Sequence, residues 1–290
     1  MLVPVLLAAA TAVGLLRLRA GRRAERAYTA RRPPATDGVV PGAEGFTLEG
    51  TNGRALLLLH GFGDTPQTLR YLGERLHVEG FTVRAPLLPG HGRGLRDFAA
   101  ASAEDYARAA NAELDQLRAS SSWVGLIGLS MGGALAARLA GESRNVRVLG
   151  LLAPYLTPPP PVTLVARMAP LWSMAVPYLA GRGGDASVHD PVAREASFAY
   201  GVFPPRALRA LCATAAAGRR ALPTISVPTL VVHSREDNRI PFALAEAATA
   251  SLAGPTERHW VTGCGHVITV DYCRDVVADL VLDFLTRHAD

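Results

Sequence analysis

The segment Gly128-Leu129-Ser130-Met131-Gly132 sets a hydroxyl between two glycines. An apolar run, 123–129, leads into it and a helix-like stretch, 133–140, follows. A serine on a sharp strand-to-helix turn is aimed out of a sheet, and glycines on either side let the backbones pack closely. The helix N-terminus behind it offers a dipole and free N–H groups to developing negative charge. That combination suits nucleophilic acyl transfer, provided that a base takes the hydroxyl proton and an acid orients the base.

On a sheet that presents its nucleophile in this way, the chain order is nucleophile, acid, base. His259, His266 and His288 are the histidines that lie beyond a suitable acid. His266 is the candidate, because Gly263-Cys264-Gly265-His266 reads as a loop after the last strand. For the acid, the run 229–233 passes into Ser234-Arg235-Glu236-Asp237-Asn238. Asp237 is favoured and Glu236 is the second choice, since neighbours in a loop point different ways. The loop His60-Gly61-Phe62-Gly63 follows the strand-like run 55–60, so the backbone N–H groups of Phe62 and Met131 are the expected oxyanion donors. His60 and His91 read as structural hydrogen-bonders.

These residues need a scaffold, and the spacing supplies one. Runs at 55–60, 81–85, 123–129, 146–152, 229–232 and 259–261 are apolar and strand-like, and amphipathic segments separate them. Such alternation implies βαβ crossovers and an α/β, mostly parallel, doubly wound sheet. Asn52-Gly53 reads as a hairpin turn between 46–48 and 55–60. Thr65-Pro66 starts a helix that ends at Gly80, and Ser102 with Asp105 forms a capping-box pattern. A final helix covers 273–287.

Between about 154 and 227 the rhythm breaks. Four prolines, 158–161, precede a stretch rich in Met, Trp, Tyr and Leu, and a Gly181-Arg182-Gly183-Gly184 segment follows. This reads as a small cap inserted into a domain of residues 37–290. Its Trp172 and Met174 are candidates for contact with a substrate acyl chain.

The chain has 290 residues and a formal net charge of +5, yet residues 1–36 alone carry seven arginines and one glutamate. That tail is therefore +6 and the remaining domain about −1, which argues against nucleic acid as a partner. Residues 1–16 are uninterruptedly apolar. As a helix they would cover roughly 24 Å, against about 30 Å of bilayer core. The charge follows the apolar run, unlike a cleaved secretory signal. The expectation is a marginal signal-anchor with the domain on the cytoplasmic side; a frayed helix on a cytoplasmic protein is the alternative. Three cysteines, Cys212, Cys264 and Cys273, have no metal-ligand spacing, and suit a reducing compartment without a disulfide framework.

Four motifs together resemble the α/β-hydrolase family, in particular bacterial carboxylesterases and monoacylglycerol lipases. They are His60-Gly61-Phe62-Gly63, Pro89-Gly90-His91-Gly92, Gly128-Leu129-Ser130-Met131-Gly132-Gly133 and Gly265-His266-Val267-Ile268-Thr269. The similarity spans about 55–290, fades in the cap and is absent from the tail. It implies a serine hydrolase of carboxylic esters, with a small-molecule ester or lipid substrate and neither metal nor cofactor. An acyltransferase or thioesterase could use the same triad. A peptidase would need acids for a substrate amine, for which the cap offers Asp185, Asp190 and Glu195. A non-catalytic binding protein on this fold would be expected to lack a triad member.

Overall fold

The computed structural model describes residues 2–143, 145–181 and 187–288. Residues 182–186, which include most of the glycine-rich cap segment and the candidate Asp185, lie outside the described residues.

The chain opens with one long helix, α1 (Leu2–Arg31), and enters the sheet with β1 (Phe46–Leu48) and β2 (Arg54–Leu59). A 3-10 turn at Pro66–Leu69 leads into α2 (Arg70–Val78), followed by β3 (Thr82–Ala85), α3 (Leu95–Ala100) and α4 (Ala103–Ser120). Ser102 and Asp105 form the expected capping box on α4. Next come β4 (Trp123–Leu129), α5 (Met131–Glu142) and β5 (Leu149–Leu152). The inserted segment holds α6 (Pro160–Arg167), α7 (Ala169–Trp172), β6 (Leu179–Ala180), α8 (Pro191–Ala196) and β7 (Val202–Phe203). The chain then returns through α9 (Pro205–Ala221), β8 (Thr229–Ser234), α10 (Phe242–Thr249), β9 (Thr256–Val261) and α11 (Arg274–His288).

The main sheet has the order β1-β3-β2-β4-β5-β8-β9, parallel throughout except for β1. Its strands are apolar on both faces because helices cover both. Leu57, Leu59, Leu126, Leu151 and Val231 face one core, shared with α4, α5 and α9. Leu56, Leu58, Ile127, Leu152 and Val232 face the other, shared with α2 and α11. β6 and β7 form a separate antiparallel pair in the inserted segment.

The Asn52-Gly53 hairpin is not formed between β1 and β2. Gly53 does turn at φ 74°, but β1 pairs with β3, which lies between the two strands. Thr51 and Asn52 donate their backbone N–H groups to Gly80 O, which ties the turn to the start of β3. A turn signal fixes where the chain bends and leaves open which strand it meets.

α1 runs without interruption from the apolar segment through the arginines. Among the described residues no helix is long and apolar enough to cross a membrane. Its second half is docked. Arg17 Nε donates to Ser173 O at 2.7 Å, Tyr178 Oη donates to Glu25 at 3.1 Å, and Arg96 pairs with Glu25 at 2.9 Å. Tyr28 stacks on Tyr200 with ring centroids 4.8 Å apart.

The cysteine expectation also fails: Cys264 and Cys273 form a disulfide, while Cys212 is free. The nine-residue separation hid the pairing. The loop between them folds back because Asp271 Oδ2 accepts the Gly265 N–H at 2.7 Å, bringing the two Cα atoms to 5.8 Å.

Candidate active site

Ser130 sits between β4 and α5 at φ 56° and ψ −116°, a backbone conformation that costs a non-glycine residue on the order of 1–3 kcal/mol. The surroundings hold it there. Its N–H donates to Leu152 O at 2.9 Å, and its carbonyl accepts from Tyr155 N at 2.9 Å. Both flanking glycines are sterically required. A Cβ on Gly132 would lie 2.0 Å from Leu59 O, and one on Gly128 would lie 2.2 Å from Gly132 O.

The structure brings Ser130, His266 and Asp237 together at the carboxyl ends of the parallel strands. Ser130 Oγ lies 2.8 Å from His266 Nε2, and His266 Nδ1 lies 2.7 Å from Asp237 Oδ2. All three are buried. Asp237 Oδ1 accepts the backbone N–H groups of Arg239 and Ile240, at 2.7 and 2.8 Å. Burial would raise the Asp237 pKa, but the charge and hydrogen bond of His266, the nearby His233 and the Ile240 N–H outweigh it and lower it. Glu236 points elsewhere: it accepts the Gly263 N–H at 2.7 Å and is half exposed. His259 and His288 both approach Glu257 and stand apart from this group.

The loop after β2 passes close to the serine, since a Cβ on Gly61 would lie 3.4 Å from Ser130 Cβ. Met131 opens α5, so its N–H belongs to the first turn, which has no intrahelical acceptor. The Gly61 end of that loop and the start of α5 at Met131 thus approach the serine from two elements. His60 holds the loop in shape: its Nε2 accepts from Leu88 N at 3.0 Å, and its Nδ1 lies 2.9 Å from Gly61 O. Burial drives the His60 pKa well below its ordinary value and that of His91 down to about 4.

Several contributors carried no local signal. Asp271 Oδ1 and Oδ2 accept backbone N–H groups from His189, Asp190, Gly265 and Tyr272 at 2.7–2.9 Å, stitching the inserted segment to the histidine loop. Burial would raise the Asp271 pKa, yet those four donors lower it. Asp64 is buried beside the oxyanion-loop candidate, and desolvation pushes its pKa to about 6. An aromatic ladder rises from the same loop. Phe62 meets Phe98 at 5.0 Å and Phe203 at 6.0 Å, and Phe98 stacks flat on Tyr200 at 4.3 Å. Alternating aromatics in three distant segments give no pattern that could be read in advance. Trp172 Nε1 donates to Val165 O at 2.8 Å within the inserted segment, and Met174 is 70% exposed. Asp190 caps α8 through Val192 N, and Glu195 is exposed.

Residues 51–272 match the family described as serine aminopeptidase, S33. The chain belongs to that family. It is an α/β-hydrolase, and its curated relatives act on esters by name. It is 29% identical over 254 residues to a thermostable monoacylglycerol lipase of Bacillus sp. (strain H-257), covering 87% of this chain and 97% of that one. It is 28% identical over 244 residues to a carboxylesterase of Bacillus subtilis (strain 168), covering 83% and 96%. Among solved structures, a lipolytic enzyme from the metagenome-derived pair LipS and LipT superposes with a TM-score of 0.79 at 28% identity, over 86% of this chain and 100% of the other. The Paleococcus ferrophilus monoacylglycerol lipase shares the fold, with a TM-score of 0.73 at 19% identity over 84% and 98%. The family match begins after α1.

Proposed function

We propose that the chain is a serine hydrolase of carboxylic esters, of carboxylesterase or monoacylglycerol lipase type, acting through Ser130, His266 and Asp237. The observation that carries this reading is the unbroken relay from Ser130 Oγ through both ring nitrogens of His266 to Asp237, at 2.8 and 2.7 Å.

His266 Nε2 takes the Ser130 proton as Oγ attacks the ester carbonyl carbon. The carbonyl π electrons move to oxygen, and the N–H groups of Phe62 and Met131 receive the oxyanion. Collapse of the intermediate breaks the bond to the alcohol oxygen, which leaves with the proton from His266. Water, deprotonated by the same nitrogen, then releases the carboxylic acid and restores Ser130. Asp237 stays ionised, keeps the working tautomer and stabilises the imidazolium. Its two backbone donors hold it in place for that task. Of the two inserted-segment candidates, Trp172 is assigned to acyl-chain contact.

A series of chromogenic esters of rising acyl length tests the proposal. Ser130→Ala is expected to lower kcat roughly 10⁴- to 10⁶-fold. A fluorophosphonate should label the wild type and spare the variant. Undiminished turnover by Ser130→Ala would refute the reading, and turnover of aminoacyl anilides in preference to esters would redirect it to peptides. If the acyl assignment is right, Trp172→Ala raises KM for long-chain esters more than for short ones.

A further inference from the structure

α1 joins two surfaces of opposite character. Val3, Val5, Leu7, Val13, Leu15 and Leu16 are 42–68% exposed and lie on all sides of the helix, so the described side chains of this half face no core. Directly behind them come Arg19, Arg22, Arg23 and Arg26, all exposed and without an acidic partner among the described residues. These four arginines line an open cleft of about 300 Å³, and a second of about 500 Å³ lies between α1, Arg96, Tyr178 and Arg206. The neighbouring acid, Glu25, is already committed to Arg96 and Tyr178. Where Arg17 pins α1 to Ser173, the exposed Leu171 and Met174 flank the junction.

Apolar side chains followed at once by unpaired guanidinium groups match the profile of a lipid leaflet, hydrocarbon first and headgroup phosphates next. Sixteen residues reach roughly 24 Å along the helix axis, too short to cross a bilayer core of about 30 Å but more than one leaflet of about 15 Å. Arginine suits the next layer because its planar donors pair with phosphate oxygens.

We propose that α1 docks the protein on an anionic phospholipid surface. Its apolar half enters one leaflet at a tilt, and Arg19, Arg22, Arg23 and Arg26 form a belt against the headgroup phosphates. The docked second half of α1 then holds Leu171 and Met174 toward the same surface. The proposal does not depend on the chemistry of Ser130, and its test reads binding, so the two can fail separately.

The test is co-sedimentation of the full chain, carrying Ser130→Ala so that the lipid stays intact, with vesicles. One set mixes phosphatidylglycerol with phosphatidylcholine, and the other is phosphatidylcholine alone. The expected result is binding to the anionic set that weakens as salt rises. Each arginine near such a surface contributes about fivefold, so replacing all four with glutamine should cut partitioning several hundredfold at most. A second variant, Leu7→Ser with Leu15→Ser and Leu16→Ser, should also lose binding; circular dichroism and the thermal midpoint check that both variants fold. Equal binding to the neutral vesicles, or full retention by the arginine variant, would overturn the proposal. So would displacement by millimolar inorganic phosphate alone, which would indicate a free-anion site. Lipid-free dimerisation through α1 in sedimentation velocity would assign the apolar half to a second copy and likewise overturn it.

Discussion

Among the buried carboxylates around His266, Asp237 and Asp64 are driven in opposite directions by their surroundings. Asp237 is held low by His266, His233 and backbone donors despite its burial, so it remains an anion beneath the imidazole. Asp64 has fewer donors, Thr65 N at 2.9 Å and the Thr68 side chain, and desolvation raises it to about 6. Linkage fixes the sign for Asp64. Its folded pKa exceeds the unfolded value, so its contribution is present below about pH 4 and is lost as pH rises through about 6. Asp64→Asn should therefore be more stable than wild type by roughly 2–3 kcal/mol at pH 8, with the gap closing toward pH 4. Denaturant midpoints across that range measure it. For the acid, Asp237→Asn is expected to lower kcat about 10⁴-fold while Glu236→Gln has a far smaller effect. Steady-state kinetics on one short ester compares the two. The choice between adjacent acids was open in the sequence because a loop alone does not say which side chain turns inward. The backbone donors at Arg239 and Ile240 settle the direction in which Asp237 points.

At the scale of elements, strands and elbow were legible because their signals are local. An apolar run followed by glycine, serine and glycine needs no distant partner to be recognised, and β4 and α5 meet at Ser130 as the pattern requires. What depended on distant geometry was hidden. The Asn52-Gly53 turn did not reveal that β3 would lie between β1 and β2, and Asp271 reads as an ordinary loop acid until its four donors converge. The Cys264–Cys273 disulfide belongs with these, because it brackets His266 by closing a loop whose shape Asp271 sets. A closed loop of this size contributes on the order of 2–3 kcal/mol in the chain-entropy account. Replacing both cysteines with alanine should cost about that much stability and lower kcat with little change in KM, since the histidine loop loosens while the substrate wall is untouched. Thermal melts and ester kinetics with and without a thiol reductant would show it, and the reductant should act on wild type alone.

For the molecule as a whole, residues 37–290 carry almost no net charge, and the basic character of the chain is concentrated in one helix. The tail's charge and apolar run were plain in the sequence, but its docking was not, because Arg17, Glu25 and Tyr28 find partners more than 70 residues away in the chain. Docking makes α1 part of the folded body rather than a tether. Tyr28 stacks on Tyr200, Tyr200 on Phe98, and Phe98 meets Phe62, whose backbone N–H is the proposed oxyanion donor. Tyr200 is also fixed to the neighbouring loop, donating to Gly90 O at 3.0 Å and accepting from Arg93 N at 3.1 Å. The stacked rings make a contiguous packed path from the docked half of α1 to the proposed oxyanion donor, along which a tilt of the helix would be felt. Turnover of a soluble ester should then change when α1 is loaded by anionic vesicles, and Tyr28→Ala should remove that change while leaving vesicle binding in place. Kinetics with and without vesicles, on wild type and Tyr28→Ala, read out the coupling.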